Sequence, residues 1–146
     1  MPGASGRGAG EYGDAAGEYG DALTTPFWEG AREGRLLVQR CLGCGHRQFY
    51  PRPLCLECES LDVGWVEAAG TGSVYSLTTV HLAVTPELDP PYVVAVVELD
   101  EGPRLLTRLV DGEGNALADG ASIGDRVVVS WHPREGAPPL PLFRPV

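Results

Sequence analysis

The 146-residue chain contains no lysine, and all eleven of its basic residues are arginine. This absence excludes catalysis through a lysine Schiff base. The chain also lacks an apolar run of ~18 residues, the length that a membrane-spanning helix needs. Its first residues, MPGASGRGAG, have neither the basic stretch nor the apolar segment of a secretory signal. We therefore predict a cytoplasmic protein that does not associate with a membrane.

Recognisable catalytic motifs are absent as well. The sequence has no GxSxG, no phosphate-binding P-loop and no GxGxxG. Nucleophilic catalysis needs a reactive side chain beside a base, and the cysteines are better explained as metal ligands. His81 and His132 each end a predicted strand, where solvated polar residues are common. We therefore predict that the chain has no catalytic residue of its own.

Four cysteines, Cys41, Cys44, Cys55 and Cys58, form two C-x2-C pairs that are separated by ten residues. Each pair can direct two thiolates at a common point, so two pairs complete a tetrahedral site. In a reducing compartment this spacing favours a metal over disulfides. We predict a structural zinc ion, because four protein ligands leave no position for a reactive water. Iron, as in a rubredoxin, is the alternative, although Glu59 rather than glycine follows the second pair.

By composition the chain divides into three parts. Residues 1–23 are rich in Gly, Ala and acids, and the hexapeptide GEYGDA occurs at residues 10–15 and again at 17–22. Such a segment buries too little apolar surface to offset its ordering entropy, so we predict a disordered tail. A short helix with Thr25 as its N-cap and a cysteine ribbon are assigned to residues 24–66. A β domain is assigned to residues 67–146.

The sequence after Gly70 has the composition of β-strands. Segments rich in β-branched and aromatic residues alternate with Gly, Pro and Asp. The predicted strands are 72–81, 92–99, 104–109, 126–132 and 140–146. Five strands with one long connection before the fourth fit a five-stranded OB-fold barrel, and a β-sandwich fits the count nearly as well. The fold class is mainly β, with a short N-terminal helix, the cysteine ribbon and then the OB-fold barrel.

Negative charge dominates, with a formal net charge of −9. Residues 1–34 carry −4, residues 35–66 carry +1 and residues 67–146 carry −6. Because a nucleic-acid-binding protein needs a basic face, the acidic C-terminal half argues against such a ligand. A nucleic-acid-binding module stays open as the alternative, since zinc ribbons and OB barrels both serve that role.

Two pairs of aromatic residues have no obvious place in a small ribbon. Phe27 and Trp28 lie on a helix of one or two turns, which cannot bury them by itself. Phe49 and Tyr50 lie in the loop between the cysteine pairs. Each pair can pack on the chain's own domains or contact another protein, and both alternatives remain open.

Taken in order, the segments of this chain resemble the DUF35 family over about residues 24–146. The matching segments are PFWEG at 26–30, GRLLVQRC at 34–41, PRP at 51–53, the four cysteines, GTGSVYSLTTVH at 70–81, PYVVA at 91–95, IGDRV at 123–127 and LPLF at 140–143. The resemblance implies a rubredoxin-like zinc ribbon joined to an acyl-CoA-associated OB-fold.

The resemblance also implies an accessory subunit. Members of the family pair with thiolase-superfamily acyltransferases or thiolase-like aldolases, and sometimes with MaoC-type hydratases, and the partner carries the catalytic residues. On this basis we expect a hetero-oligomer whose shared site binds acyl-CoA. The residues expected to reach the partner are Phe27, Trp28, Leu36, Phe49 and Tyr50. The candidates for contacting coenzyme A are Arg104, Arg108 and Arg144, and the other arginines of the barrel are Arg126 and Arg134.

Overall fold

A computed structural model of the chain describes residues 21–146. Residues 1–20, and with them most of the predicted tail, lie outside this range. The described chain begins with a turn in which the Asp21 carboxylate accepts the N–H of Thr24 at 3.0 Å. Helix α1, Thr25–Arg32, follows directly. Its N-cap is Thr24 and not Thr25 as predicted, because the carbonyl of Thr24 already accepts the N–H of Trp28 at 3.2 Å.

A three-stranded antiparallel sheet forms the ribbon. Its strands are β1 (Leu37–Cys41), β2 (Arg47–Gln48) and β3 (Val63–Glu67), in the order β2-β1-β3. Strand β1 leads into the first cysteine pair, and β3 leads away from the second. The sheet therefore holds both cysteine turns at one end.

The remaining strands form a nearly closed antiparallel barrel. They are β4 (Thr71–Val80), β5 (Tyr92–Leu99), β6 (Arg104–Arg108), β7 (Arg126–Arg134) and β8 (Ala137–Pro145), in the order β6-β5-β4-β7-β8. A bridge between Leu109 and Phe143 brings the two ends of this order together. The predicted five-stranded OB-fold is confirmed, and the sandwich alternative is wrong because the strands form one sheet that curves back on itself.

One hydrophobic core joins the helix and ribbon to the barrel. Phe27, Leu36 and Val38 belong to the same buried cluster as barrel residues such as Val97 and Phe143. Apolar side chains of β5 alternate between buried and half-buried positions, as expected for a strand with one face on the core. The helix, the ribbon and the barrel thus share one interior, and this packing fixes how their surfaces meet.

A hydrogen bond from the barrel also anchors the end of the helix. The indole N–H of Trp131 on β7 donates to the carbonyl of Gly34 at 3.1 Å. Within residues 21–146, no helix has the length and apolar character that crossing a bilayer requires.

Candidate metal centre and docking groove

The four cysteine sulfurs converge at the end of the ribbon. The Sγ atoms of Cys41 and Cys58 lie 3.6 Å apart, and those of Cys44 and Cys55 lie 3.7 Å apart. All four sulfurs lie within 4.8 Å of one another. Sulfurs at the corners of a tetrahedron, each ~2.3 Å from its centre, are separated by about 3.8 Å. The donor set and its spacing therefore fit one metal ion held by four thiolates.

Backbone amides prepare these sulfurs to carry negative charge. The N–H of Cys44 donates to the Cys41 Sγ and lowers the pKa of this thiol to about 6. The N–H of Ser60 lowers the pKa of Cys58, but the adjacent Cys41 and Cys44 sulfurs raise it to about 12. Four thiol groups this close together cannot all lose their protons unless a cation lies between them. A metal that binds here must therefore displace protons.

Both cysteine turns have the same backbone form. Gly45 has a φ of 80°, and Glu59 in the second turn has a φ of 64°. The N–H groups of Gly45 and Glu59 each donate to the carbonyl of the first cysteine of their pair at 2.9 Å. Glutamate thus adopts the conformation that glycine adopts in the first turn. Its presence does not distinguish zinc from iron, contrary to the argument from sequence.

Two buried glutamines, which the sequence analysis missed, hold the loop between the cysteine pairs. The Gln39 side-chain carbonyl accepts the N–H of Arg52 at 2.8 Å, and its amide donates to the Arg52 carbonyl at 3.0 Å. The Gln48 amide donates to Gln39 and to the carbonyl of Leu54, and its oxygen accepts the N–H of Leu56 at 3.0 Å. These bonds fix the loop tip that carries Phe49 and Tyr50.

A row of four aromatic rings runs from the helix to this loop tip. The ring centroids of Trp28 and Phe27 lie 4.8 Å apart, edge to face. Those of Phe27 and Phe49 lie 5.3 Å apart, and those of Phe49 and Tyr50 lie 4.5 Å apart. Phe27 is 4% exposed whereas Tyr50 is 47% exposed, so the row extends from the core to the surface. Four of the five residues expected to reach a partner are therefore neighbours.

The aromatic row lines one side of a groove of about 450 Å³ along the seam between the helix, the loop tip and the barrel. Strands β5, β6 and β8 line the other side, with Val94, Leu106 and Leu140 among the apolar residues. The Tyr50 hydroxyl accepts the backbone N–H of Leu106 at 2.9 Å and so joins the loop tip to β6. Leu106 is 60% exposed, which makes the groove continuous with the surface.

Leu36, the fifth predicted partner residue, lies elsewhere. Its side chain is 2% exposed and belongs to the shared core. The backbone carbonyl of Leu36 accepts the N–H of Ala68, so the residue joins the ribbon to the first residues of the barrel. The assignment of Leu36 to a partner surface is therefore corrected, because the side chain has no surface to offer.

Arg108 is the one charged residue among the described residues that line the groove. It lies at the end of β6, half-buried, and desolvation lowers the pKa of its guanidinium. In residues 21–146, no carboxylate lies within ion-pairing distance of this guanidinium. The neighbouring Tyr92 partly offsets this desolvation, and a half-buried cation beside apolar walls can also bind an anionic group.

The other candidate arginines lie outside the groove's lining. Arg104 forms a 2.8 Å ion pair with Glu98 and stacks over the Tyr75 ring at 3.7 Å. Arg144 lies on β8 opposite Val128 of β7. The structure thus does not gather the three predicted arginines into one phosphate clamp.

The two remaining barrel arginines have partners within the chain. Arg126 donates two hydrogen bonds to the Asp100 carboxylate, at 2.7 and 2.8 Å, and with Thr71 lowers the pKa of Asp100 to about 2. Arg134 donates to the carbonyl of Pro138 and lies 5.6 Å from the Trp28 ring centroid. Both arginines serve the fold in this structure.

Comparison with known proteins identifies the family. A family model described as the ChsH2 rubredoxin-like zinc ribbon domain matches residues 28–64, and one described as the ChsH2 C-terminal OB-fold domain matches residues 65–132. A DUF35 domain-containing scaffold protein of Pyrococcus furiosus is 33% identical over 99 residues, which span 66% of this chain and 72% of the relative. The chain belongs to the DUF35 family.

Two further similarities are to proteins that are named as parts of enzymes. It is 45% identical, over 82% of its length, to a probable enoyl-CoA hydratase alpha subunit of Thermomonospora curvata, but it spans only 36% of that subunit. A solved structure named Ltp2-ChsH2(DUF35) aldolase contains a chain that is 41% identical, with a TM-score of 0.76. The match covers 86% of this chain and 95% of that one. The predicted family is confirmed.

Proposed function

We propose that this chain is a non-catalytic subunit that docks on a thiolase-superfamily acyltransferase or thiolase-like aldolase and helps to form or cover its acyl-CoA site. The observation that carries the proposal is the apolar groove, in which an aromatic row from the helix and loop tip faces the outer surface of β6. Grooves of this kind, with one charged residue among apolar walls, are typical of docking and ligand sites. The similarity to a chain of an aldolase complex supports this class of partner.

A hydratase is the second candidate partner, and a specific similarity favours it. A relative with 45% identity is named as an enoyl-CoA hydratase alpha subunit. The groove itself serves either partner, because its chemistry depends on Trp28, Tyr50, Leu106 and Arg108 and not on the reaction. We propose Arg108 as the anion contact at the shared site, in preference to Arg104 and Arg144, which do not line the groove.

We also propose that the metal is zinc and that its role is structural. Four thiolates fill a tetrahedral coordination sphere, so the ion would have no open position for water or substrate. Iron remains the alternative occupant, and metal analysis of the purified chain distinguishes the two. Reduced thiols are required in either case, which is in keeping with a cytoplasmic location.

We propose that each of the two structural units forms one wall of the docking groove. Residues 24–66, the helix and zinc ribbon, present the aromatic row. Residues 67–146, the OB-fold, supply the opposite wall and Arg108. We propose no nucleic-acid partner, because residues 67–146 carry a net charge of −6. A titration with single-stranded DNA and RNA at low salt should show no affinity beyond the non-specific range of about 10⁻⁴–10⁻⁶ M.

Leu106→Glu tests the docking groove directly. The side chain is exposed and its backbone N–H remains available to Tyr50, so the variant should fold normally. A carboxylate in the apolar groove should weaken binding to a purified thiolase-like aldolase or hydratase from the same organism at least tenfold, as for a central interface residue worth ~2 kcal/mol. Calorimetric titration of the two purified proteins measures this.

The matched control is Leu61→Glu. Leu61 is 79% exposed on the ribbon and does not line the groove. Trp28→Ala should act as Leu106→Glu does while leaving the metal content unchanged. Equal affinity of the Leu106→Glu, Leu61→Glu and parent chains would remove the groove from the interface. Turnover of an acyl thioester by the purified chain alone would overturn the non-catalytic role.

A further inference from the structure

The groove requires an occupant with two features. Its walls are apolar, so the occupant must offer an aromatic or aliphatic body. Arg108 lies in this lining without an acidic partner among the described residues, so an occupant that also offers a carboxylate or another anion complements the groove. A short peptide in which an acid directly precedes an aromatic residue meets both requirements.

The N-terminal segment of the same chain carries this combination twice. Glu11 precedes Tyr12 and Glu18 precedes Tyr19, in the two copies of GEYGDA. Residues 1–20 contain three acids and one arginine, so their charge is opposite to that of Arg108. Each acid–tyrosine pair is followed by a glycine, which permits the chain to reverse direction at low cost.

The described part of the chain also begins beside the groove. Thr24 lines the groove, and the turn between Asp21 and Thr24 fixes Asp21, the first described residue, beside Thr24. Tyr19 precedes Asp21 by two residues and Tyr12 precedes it by nine. Two residues span about 7 Å when extended, and a tyrosine side chain adds to that reach. The second copy is therefore tethered within reach of the groove, at an effective concentration on the order of 1 mM or more.

We propose that Glu18 and Tyr19 dock in the groove of their own chain, the carboxylate on Arg108 and the ring among the apolar walls. The segment then acts as an internal competitor for the groove, and its functional consequence rests on the proposed docking role. With a weak intrinsic affinity, in the millimolar range, tethering should occupy the groove for half or more of the time. Partner binding should be weakened about 2- to 10-fold accordingly.

Photo-crosslinking in the full metal-loaded chain tests this proposal without any partner. p-Benzoylphenylalanine replaces Tyr19 in one variant and Tyr12 in a matched variant, and cross-linked peptides are mapped by mass spectrometry. The probe at position 19 should react with groove residues of the same molecule at least threefold more than the probe at position 12, because the shorter tether gives the higher local concentration. Adding Glu18→Gln should lower the yield at position 19 by at least half.

Several outcomes would overturn self-docking. Equal yields from the two positions, cross-links outside the groove, or no cross-links would each do so. Cross-links only between molecules would also do so, because they would indicate a second copy as the occupant. The partner titration gives an independent reading, in which Tyr19→Ala should bind about 2- to 10-fold tighter than the parent and Tyr12→Ala should bind nearly as the parent does. If no partner binds, the proposed function fails while the cross-linking result still decides the self-docking.

Discussion

Glu59 adopts a backbone conformation that residues with a side chain rarely adopt. Its φ of 64° places it in the left-handed region, where a Cβ atom costs about 1–2 kcal/mol. The N–H of Glu59 closes the second cysteine turn on the carbonyl of Cys55, as Gly45 does on Cys41. The turn therefore dictates the conformation, and this turn brings Cys55 and Cys58 to the point where the four sulfurs converge.

Glu59→Gly should stabilise the ribbon. Glycine removes the left-handed strain but increases the entropy of the unfolded chain, so a net gain of about 0.5–1 kcal/mol is expected. Urea unfolding of the metal-loaded chain measures this. Gly45→Ala is the matched control and should destabilise, because it introduces the strain at the equivalent position. A loss of stability in Glu59→Gly would show that the glutamate side chain has a stabilising role.

The roles of some residues could be predicted from the sequence, and the roles of others could not. The cysteines were predictable because their spacing alone specifies the chemistry. Leu36 was not, because an apolar residue before a short strand can face a core or a partner with equal ease. Only the packing of the helix, ribbon and barrel decides between these, and it places Leu36 in their shared buried cluster. Arg108 was one of several equivalent arginines in the sequence, and only the fold separates it from Arg104.

Among the elements, β1 and β2 depend on glutamines that sequence patterns assign to the surface. Gln39 and Gln48 are 3% and 5% exposed, although glutamine is mostly an exposed residue. Their side chains form the hydrogen bonds with the loop between the cysteine pairs that a neighbouring strand would otherwise form. The prolines of this loop prevent regular strand pairing. No sequence pattern indicates this role of the glutamines, because the role depends on the path of the loop.

Gln48→Ala should loosen this loop. The variant leaves the carbonyl of Leu54 and the N–H of Leu56 without their partner, at an expected cost of about 1–3 kcal/mol. Hydrogen exchange of residues 49–56 should accelerate, and binding of the proposed partner should weaken because the Phe49–Tyr50 tip is less fixed. Arg47→Ala, at the exposed neighbouring position of β2, is the control and should change stability by less than ~0.5 kcal/mol. Unchanged exchange in Gln48→Ala would contradict the role of the glutamine.

The strands of the barrel were largely predictable. β5 and β6 coincide with the predicted 92–99 and 104–109 within one residue, because β-branched runs between turn residues are a strong local signal. β8 begins at Ala137, three residues before the predicted start, since its prolines conceal the first part of the strand. The open connection before β7 was also foreseen from its Gly and Asp content.

The whole molecule combines a metal-dependent part with a barrel that supplies most of the shared core. Removal of the metal should unfold the cysteine turns and the loop between them, because metal-binding free energy in such ribbons is folding free energy. The barrel should persist, since its five strands bury a continuous apolar interior.

Hydrogen exchange after treatment with a chelator measures this difference. Amides of residues 41–60 should lose protection, and those of β4, β5 and β7 should keep it. Leu42→Ala, which changes an exposed residue beside a ligand, is the control and should retain both metal and protection. Simultaneous loss of protection in both parts would show that the shared core makes the chain a single cooperative unit.

The seam between the two parts could not be predicted from the sequence. The sequence indicates that the aromatic pairs at 27–28 and 49–50 are too large for a small ribbon to bury. Their common groove depends on how the helix and the loop tip pack on the barrel. Contacts such as Trp131 with Gly34 and Tyr50 with Leu106 join residues far apart in the chain and hold this packing.

The hydrogen bond between Tyr50 and Leu106 has a consequence for solubility. β6 is an end strand of the sheet, and an unpaired strand edge invites backbone pairing with a second molecule. The phenolic oxygen already accepts the Leu106 amide, so this N–H is not available to the backbone of another molecule. An aromatic side chain of the ribbon therefore occupies one amide on the outer edge of β6 that a second molecule could otherwise pair with.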